Sequence, residues 1–304
     1  METVGFIGLG KMGSGMAHNV QKAGYPMVVH DVRKESARPF LDGGATWADS
    51  AADVARQSDI ILTSVPGPKE SEQVAIGPNG LLEGIKEGAF WVDLSTTGPA
   101  HIRRLEPMFN QKGAHVLDGP ILSSPELALK RNLIEMTGGK REDFDSVKPV
   151  LDAFSDQVLY TGELGTALVV KLVTNTMGMV MLQGIAEGII LAVKAGARLE
   201  DVLEVGSRPE IGGILGMMKH YFADTWFKGQ FDSPIFTLAL AHKDIAETTK
   251  LGRETGVPMH VTNETEQLFM AALNRGWANR DWITSFLTQE ERAGIEVRAP
   301  NYKP

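Results

Sequence analysis

A glycine-rich turn near the N-terminus constrains the fold of this chain more than any other feature. The segment Gly8-Leu9-Gly10-Lys11-Met12-Gly13 has the spacing G-x-G-x-x-G, and it lies between an apolar run and an amphipathic segment. In that context the first glycine permits a tight turn, the second lets the backbone approach a pyrophosphate, and the third lets helix and strand pack closely. The pattern predicts a dinucleotide-binding turn, and a glycine-rich turn without a ligand is the weaker alternative.

The end of the next apolar run indicates which dinucleotide is bound. Asp31 lies 18 residues after Gly13, close to the distance expected for the acid that binds the adenosine ribose. A carboxylate accepts hydrogen bonds from a ribose 2′-hydroxyl and repels a 2′-phosphate, so the sequence favours NAD. Arg33 could compensate a phosphate, which leaves NADP possible, or it could be a solvated surface residue.

Short β-branched runs alternate with amphipathic segments in the first half of the chain, which is typical of a parallel sheet with crossover helices. The predicted strands are Val4–Leu9, Met27–Asp31, Ile60–Ser64, Phe90–Leu94, Ala114–Leu117, Leu133–Met136 and Gln157–Tyr160.

The second half is predicted to be helical. It begins with a long apolar segment without proline from Thr166 to Ala195. Further helices are predicted at Leu199–Val205, Ile214–Thr225, Phe236–Thr255, Val261–Asn274 and Asp281–Gln289, with a loose tail from Ala299 to Pro304. We therefore expect an α/β fold, with a Rossmann-type domain over residues 1–164 and an all-α domain over residues 165–304, joined by a long helix.

Composition excludes several classes of function. The net charge of −8 gives no basic footprint for nucleic acid, and the absence of cysteine excludes disulfides and thiolate chemistry. The seven histidines are dispersed, so no metal site is expected. The N-terminus lacks the pattern of a signal peptide, and the longest strongly apolar stretch, Ala167–Val173, is far shorter than the roughly 20 residues of a membrane span. A cytoplasmic protein is expected, with no membrane partner.

Several segments resemble the β-hydroxyacid dehydrogenases. The segment GFIGLGKMGSGMAHNV is similar to the N-terminal signature of that family. Later matches are Val65-Pro66, Gly77-Pro78-Asn79-Gly80, Asp93-Leu94-Ser95-Thr96, Leu117-Asp118-Gly119-Pro120, Gly162-Glu163-Leu164-Gly165 and His242-Lys243-Asp244. The resemblance covers nearly the whole chain, and it implies a 3-hydroxyisobutyrate dehydrogenase-like oxidoreductase that uses NAD or NADP.

Lys171 is the predicted catalytic acid/base. It lies four residues before Asn175, so on a helix both side chains project from one face. Its apolar neighbours in the sequence make a buried cation costly, which predicts a lowered pKa suited to proton transfer. An isolated lysine would more often extend to water, but the resemblance assigns Lys171 the acid/base role and places Asn175 beside it in the substrate pocket.

The resemblance also assigns residues on the cofactor side of the site. Val65 and Pro66 belong to one cofactor loop, and Ser95 and Thr96, at a strand end, are expected near the nicotinamide or substrate. Ser95 and Thr96 could equally form only the turn before the next helix. The resemblance places Lys243 at the edge of the cofactor and substrate sites. The alternative, a surface lysine on a helix, is nearly as well supported.

The substrate loop departs from the family pattern. Relatives that act on small hydroxy acids carry Ser-Gly-Gly after the proline of this loop, whereas this chain has Leu122, Ser123 and Ser124 at the corresponding positions. Side chains restrict how closely the backbone can approach a ligand. We hypothesise a substrate that is larger, less anionic, or bound through the hydroxyls of Ser123 and Ser124.

Three functions follow from these features. The leading one is an NAD(P)-dependent dehydrogenase or reductase that interconverts a hydroxy acid and its aldehyde or ketone. Imine reduction on a similar architecture is weaker, because lysine is not the usual residue at the catalytic position of such enzymes. A non-catalytic cofactor-binding scaffold is the third, and Lys171 argues against it. The family also implies a homodimer or homotetramer.

Overall fold

A computed structural model describes residues 1–211, 215–216 and 218–302. The chain divides into two compact units, Met1–Val173 and Thr174–Pro304. These units are defined by contacts within the chain. The division into independent domains after residue 164 stays a prediction.

The first unit contains one nine-stranded sheet. Its strands are β1 (Val4–Ile7), β2 (Met27–His30), β3 (Thr46–Trp47), β4 (Ile60–Thr63), β5 (Phe90–Asp93), β6 (His115–Asp118), β7 (Ile121–Leu122), β8 (Ile134–Gly138) and β9 (Gln157–Gly162). All seven predicted strands are present, and their ends agree within two residues. β3 and β7 were not predicted, because two residues are too few to show an alternating pattern.

The strand order is β3-β2-β1-β4-β5-β6-β8-β7, with β9 paired to β8. The pairs from β3 to β6 are parallel, as is the pair β8–β9. The predicted parallel arrangement holds for most of the sheet, and one edge is mixed because β8 runs antiparallel to both β6 and β7. The chain reverses its direction in the segment between β7 and β8, so β8 returns along this edge of the sheet against both of its neighbours.

Helices cover both faces of this sheet. In the first unit they are α1 (Gly13–Lys22), α2 (Arg38–Asp42), α3 (Ala51–Gln57), α4 (Pro68–Ile76), α5 (Leu81–Gly84), α6 (Pro99–Asn110), α7 (Pro125–Leu129) and α8 (Arg141–Phe154). One apolar core packs α1 and α8 on the sheet, and a second packs α3, α5 and α6 on it. This doubly covered, mostly parallel sheet is the Rossmann-type arrangement that was predicted.

The second unit is helical in its described residues. α9 (Thr166–Lys194) begins in the first unit and continues into the second, followed by α10 (Leu199–Gly206), α11 (Lys219–Asp224), α12 (Leu238–Thr255), α13 (His260–Leu273) and α14 (Phe286–Ala293). The predicted helix Ile214–Thr225 includes Ile214 and Met217, which lie outside the described residues, as do the last two residues of the tail. A 3-10 turn, Trp282–Ser285, precedes α14 where one continuous helix was predicted. The buried Trp226, Phe227 and Phe231 belong to the core of this unit.

Helix α9 is apolar over a longer range than the stretch Ala167–Val173 that was considered in the sequence analysis. By length and composition alone it could cross a membrane, with a mean hydropathy of 1.7 over its most apolar window. The core helix of a soluble protein passes the same test, and 44% of that window is buried within the chain. The helix is therefore only weak evidence for a membrane span.

Candidate active site

The glycine-rich turn has the geometry that a dinucleotide requires. Gly8 has φ +94°, and a Cβ there would lie 2.2 Å from the carbonyl oxygen of Ser64. A Cβ on Gly13 would lie 1.9 Å from the carbonyl oxygen of Gly8, so only glycine lets α1 start this close to the strand end. The Cβ position of Gly10 faces open space, with no atom within 4 Å. A pyrophosphate therefore has room against the backbone at the N-terminus of α1.

Asp31 lies directly against this turn. Its Oδ2 accepts a hydrogen bond from the backbone N–H of Leu9 at 2.7 Å, and its Oδ1 accepts one from the N–H of Arg33 at 2.8 Å. The side chain of Arg33 is exposed, and its Nε lies 3.9 Å from Oδ1 of Asp31. A carboxylate has about four acceptor positions, so two backbone contacts leave capacity for ribose hydroxyls. The residues present therefore fit a dinucleotide, and the buried Leu9, half-buried Met12 and exposed Lys11 complete the turn.

Asp93 holds together the two loops that follow β4 and β5. Its buried carboxylate accepts hydrogen bonds from Thr63 Oγ1 at 2.9 Å, from Ser71 Oγ at 2.6 Å and from the backbone N–H of Ser95 at 3.0 Å. Ser95 Oγ in turn accepts the N–H of Val65 at 3.0 Å. The structure thus brings together Val65 and Ser95, which the sequence assigned to the cofactor site.

The N-terminus of α9 is fixed by a carboxylate at the end of β6. Asp118 is fully buried, and it accepts the backbone N–H groups of Gly165 at 2.7 Å and Leu168 at 2.9 Å. Burial raises the pKa of Asp118 to about 6, and these two hydrogen bonds oppose the shift. Lys171 lies one turn further along the same helix. Asp118 therefore fixes the position of the helical turn that precedes Lys171.

Lys171 and Asn175 are four residues apart on α9 and both are half-buried. Leu168 and Leu172, on either side of Lys171, are buried, but Val170 is 40% exposed. The apolar surroundings predicted for the lysine therefore exist on one side of the helix only.

In the second unit, Asn175 and Lys243 meet at a residue that was not predicted to belong to the site. Asn175 Nδ2 donates to Asp244 Oδ2 at 2.9 Å, and Lys243 Nζ forms an ion pair with Asp244 Oδ1 at 3.0 Å. Asp244 is 2% exposed. A buried carboxylate of this kind fixes the direction of the amide of Asn175 and holds the ammonium of Lys243 nearby.

The segment from Gly119 to Asn132, which we call the substrate loop, uses its own serines to hold its shape. Ser123 Oγ donates to the carbonyl of Asn132 at 3.1 Å, and Ser124 Oγ accepts the N–H of Leu127 at 3.4 Å as the cap of α7. Leu122 is half-buried in β7. The loop is tied to α1 by Asn19, whose Nδ2 donates to the carbonyl of Ala128 at 2.9 Å.

Two family models together match most of the chain. Residues 3–162 match the NAD binding domain of 6-phosphogluconate dehydrogenase, and residues 165–285 match the NAD-binding domain of NADP-dependent 3-hydroxyisobutyrate dehydrogenase. The chain belongs to the β-hydroxyacid dehydrogenase family. It is accordingly an NAD(P)-dependent oxidoreductase that acts on CH–OH groups.

Curated members of the β-hydroxyacid dehydrogenase family align over nearly the whole chain. The mitochondrial 3-hydroxyisobutyrate dehydrogenase of Bos taurus is 28% identical over 298 residues, which is 95% of this chain and 87% of that protein. The 3-sulfolactaldehyde reductase of Escherichia coli is 29% identical over 302 residues, which is 98% of this chain and 99% of that protein.

Solved structures confirm the fold of this family. The Mycobacterium tuberculosis 3-hydroxyisobutyrate dehydrogenase, in a structure with L-serine, has a TM-score of 0.83 and 22% identity, covering 95% of this chain and 99% of that one. An imine reductase from Myxococcus stipitatus with NADP⁺ has a TM-score of 0.63 and 21% identity, covering 94% of this chain and 99% of that one. At these identities the likeness is one of fold alone.

Sequence reasoning missed three carboxylates in this β-hydroxyacid dehydrogenase: Asp93, Asp118 and Asp244. Each stands inside or beside a segment whose resemblance to the family was recognised. One feature of the sequence could have indicated them. Each is an acidic residue at the end of a strand or within a family motif, where an acid is less often a plain surface residue. Each of them holds at least one partner that lies between 22 and 69 residues away in sequence, and no local pattern reveals such a contact.

Proposed function

We propose that this protein interconverts a β-hydroxy acid, or a related hydroxy compound, and its carbonyl form, with Lys171 exchanging the proton. The observation that carries the proposal is the placement of Lys171 on α9 one turn after the point where Asp118 anchors that helix. NAD or NADP supplies or accepts the hydride when bound, and the chain itself must handle the proton on the substrate oxygen.

Lys171 is suited to that task by chemistry and by surroundings. A neutral lysine amine takes the hydroxyl proton during oxidation, and the ammonium returns it to the carbonyl oxygen during reduction. The buried Leu168 and Leu172 give Lys171 apolar neighbours on one side of the helix. Asn175, held by Asp244, offers an amide to orient the substrate oxygen or the lysine.

The proposed substrate is larger or less anionic than 3-hydroxyisobutyrate. The hydroxyls of Ser123 and Ser124 are engaged in bonds within the substrate loop, which weakens the idea that they bind the substrate. A side chain at each of positions 122 to 124 keeps a ligand further from the backbone than glycine would. Initial rates with a panel of hydroxy acids test this point, and a strong preference for 3-hydroxyisobutyrate would refute it.

NAD is the proposed preferred cofactor. Asp31 places a buried carboxylate beside the glycine-rich turn, where it repels a 2′-phosphate. The exposed Arg33 supports some use of NADP.

A second copy of this chain is the proposed partner, and the protein is proposed to act in the cytoplasm as a homodimer or homotetramer. One face of α9 is exposed at positions spaced by three and four residues: Val170, Thr174, Met177, Met181, Gly184, Gly188 and Leu191. Met177 is 66% exposed and Leu191 is 69% exposed. The Cβ positions of Gly184 and Gly188 face open space, which lets another backbone approach closely. Such an uncharged, helix-length stripe suits self-complementary packing, and light scattering measures the resulting mass.

Two other functions remain as alternatives. Imine reduction is supported only by likeness of fold, and a non-catalytic scaffold is supported by no feature of the site. Turnover with cyclic imines but not with hydroxy acids would favour the first, and cofactor binding without any turnover would favour the second.

The decisive experiment compares Lys171→Met with Lys194→Met, which changes a lysine at the far end of the same helix. Loss of a general acid/base should lower kcat by at least about 10²-fold while NADH still binds, as measured by fluorescence. The control should keep its activity. Full activity of Lys171→Met would refute the proposed role.

A further inference from the structure

Glu135 is a buried acid that the proposed chemistry does not use. It is the second residue of β8, and its side chain is fully buried. An acid is almost never fully buried unless its charge is compensated, and among the residues that the structure describes the hydrogen-bond partner of Glu135 is the uncharged Thr137. The position therefore needs an explanation.

The hydrogen bonds of Glu135 suit a protonated carboxyl. Thr137 Oγ1 lies 2.9 Å from Oε1 and 2.7 Å from Oε2. A threonine hydroxyl has a single hydrogen, so it can donate fully to one of the two oxygens. A proton on the other carboxyl oxygen supplies the second hydrogen bond, whereas an ionised carboxylate would have to share one donor.

The charges around Glu135 favour the same state. Asp118 at the end of β6 and Asp152 on α8 both act on it, and its register partners Ile121 on β7 and Val158 on β9 carry no charge. Burial, with these two acids, raises the pKa of Glu135 to about 8 although the bond from Thr137 opposes the shift. The cation of Lys148 also belongs to this group, and it is ion-paired with Asp152 at 2.7 Å.

The neutral carboxyl supports the start of the substrate loop. A Cβ on Gly119 would lie 2.8 Å from Glu135 Oε1, so the backbone at Gly119 rests directly on the carboxyl. The next residues are tied to the same strand, since the N–H of Met136 donates to the carbonyl of Pro120 at 3.2 Å and Ile121 pairs with Glu135. Leu122, Ser123 and Ser124 follow immediately along the chain.

We propose that Glu135 is a positioning residue, which in its neutral form holds the substrate loop in its binding conformation and on ionisation releases it. An ionised Glu135 would seek water, which this buried position can offer only if the Gly119–Pro120 turn moves away. Substrate affinity would therefore fall in mildly alkaline solution, while hydride and proton transfer in the bound complex would be unaffected. This inference rests on the proposed function only in assigning the segment 119–132 to substrate binding.

The first test needs no substrate. Hydrogen exchange of the segment 119–132, expressed as protection factors, is followed from pD 6.5 to 9.5 in the wild type and in Glu135→Gln, the isostere of the neutral acid. We expect the wild type to lose protection with a midpoint near 8 and the variant to keep it. Parallel loss of protection in both proteins would overturn the proposal.

Two changes on α8 make the test specific. Asp152→Asn removes a charge that opposes ionisation of Glu135, so the midpoint should move to lower pD. Glu142→Gln removes an exposed acid from the first turn of the same helix and should leave the midpoint unchanged. These variants also keep the proposal falsifiable if Glu135→Gln fails to fold. An unmoved midpoint in Asp152→Asn would show that another group titrates.

The second test uses the enzyme with NAD and the hydroxy acid that gives the highest initial rate in the substrate panel described under the proposed function. If only the neutral form binds, one molecule in about ten is competent one pH unit above the midpoint, so KM should rise about tenfold more in the wild type than in Glu135→Gln between pH 7 and 9. The kcat profiles should superimpose. Absence of turnover in every protein would contradict the proposed function and leave the hydrogen-exchange result standing, whereas equal KM profiles in both proteins would overturn the role of Glu135.

Discussion

Asp118 and Gly165 are joined by a hydrogen bond of 2.7 Å, from the backbone N–H of Gly165 to the carboxylate at the end of β6. The second oxygen accepts the N–H of Leu168. One strand end therefore satisfies two of the backbone donors that every helix leaves open in its first turn. The helix that carries Lys171 is fixed to the sheet by this side chain.

Replacing Asp118 should lower both the stability of the protein and its catalytic rate. Asp118→Ala leaves two buried N–H groups without an acceptor, which should lower the free energy of unfolding by about 2–4 kcal/mol and lower kcat through displacement of Lys171. Denaturant unfolding and initial rates measure the two effects. Glu163→Gln, at an exposed position in the same turn, is the matched control and should change neither. A variant with lowered stability and normal kcat would show that the anchor does not position the lysine.

Asp93 should matter for cofactor affinity. It orders Thr63, Ser71 and Ser95 at the ends of β4 and β5, where ligands of open α/β sheets bind. In Asp93→Asn the amide NH₂ would face donors, so the loops should shift and the Kd for NADH should rise by roughly tenfold. Fluorescence titration measures this Kd. Asp59→Asn, at an exposed ion pair with Lys86, is the comparison, and equal effects of the two changes would contradict the assignment.

Asp31 should determine the choice between the two cofactors. Asp31→Asn keeps an oxygen that can accept the N–H of Leu9 but removes the charge that repels a 2′-phosphate. We expect the ratio of kcat/KM for NAD over NADP to fall by about tenfold or more, chiefly through KM for NADP. The additional change Arg33→Ala should reverse part of that gain. An unchanged ratio in Asp31→Asn would place the discrimination elsewhere.

The ion pair between Asp244 and Lys243 can be tested by a double-mutant cycle. Asp244→Asn, Lys243→Met and the double variant are compared by kcat/KM. If the carboxylate acts by holding the ammonium, the double variant should be hardly worse than the worse single one, with a coupling of about 1–3 kcal/mol. Additive losses would show that the two side chains act independently.

Local patterns in the sequence predicted the framework of this protein well. Short-range chemistry predicted the strands β1, β2, β4, β5 and β6, the turn at Gly8, Gly10 and Gly13, and the position of Asp31 after β2. Periodicity and backbone requirements of glycine are visible within about 20 residues, so they needed no knowledge of the fold.

The parts that sequence could not predict depend on distant partners. Glu135 in a strand pattern looks like a solvent-facing residue, and only the path of the chain through Gly119 makes it buried. Asp118 appeared as part of a substrate-loop motif, but its role comes from a helix that begins 48 residues later, at Thr166. The exposure of Val170 likewise depends on which face of α9 meets the sheet.

The stability of the protein should depend on pH through Glu135. Its pKa is raised from 4.5 to about 8 in the folded state, so its contribution to stability is fully present below pH 4.5 and is lost as the pH rises toward 8. In Glu135→Gln this loss is absent. The variant should therefore gain stability relative to the wild type as the pH increases, by up to about 3 kcal/mol at pH 7, with little difference near pH 4.5. Urea unfolding at pH 5, 7 and 8.5 measures the difference, with Glu142→Gln, a change at an exposed acid of α8, as the control. A constant difference between wild type and Glu135→Gln at all three pH values would mean that Glu135 does not keep its proton in the folded protein.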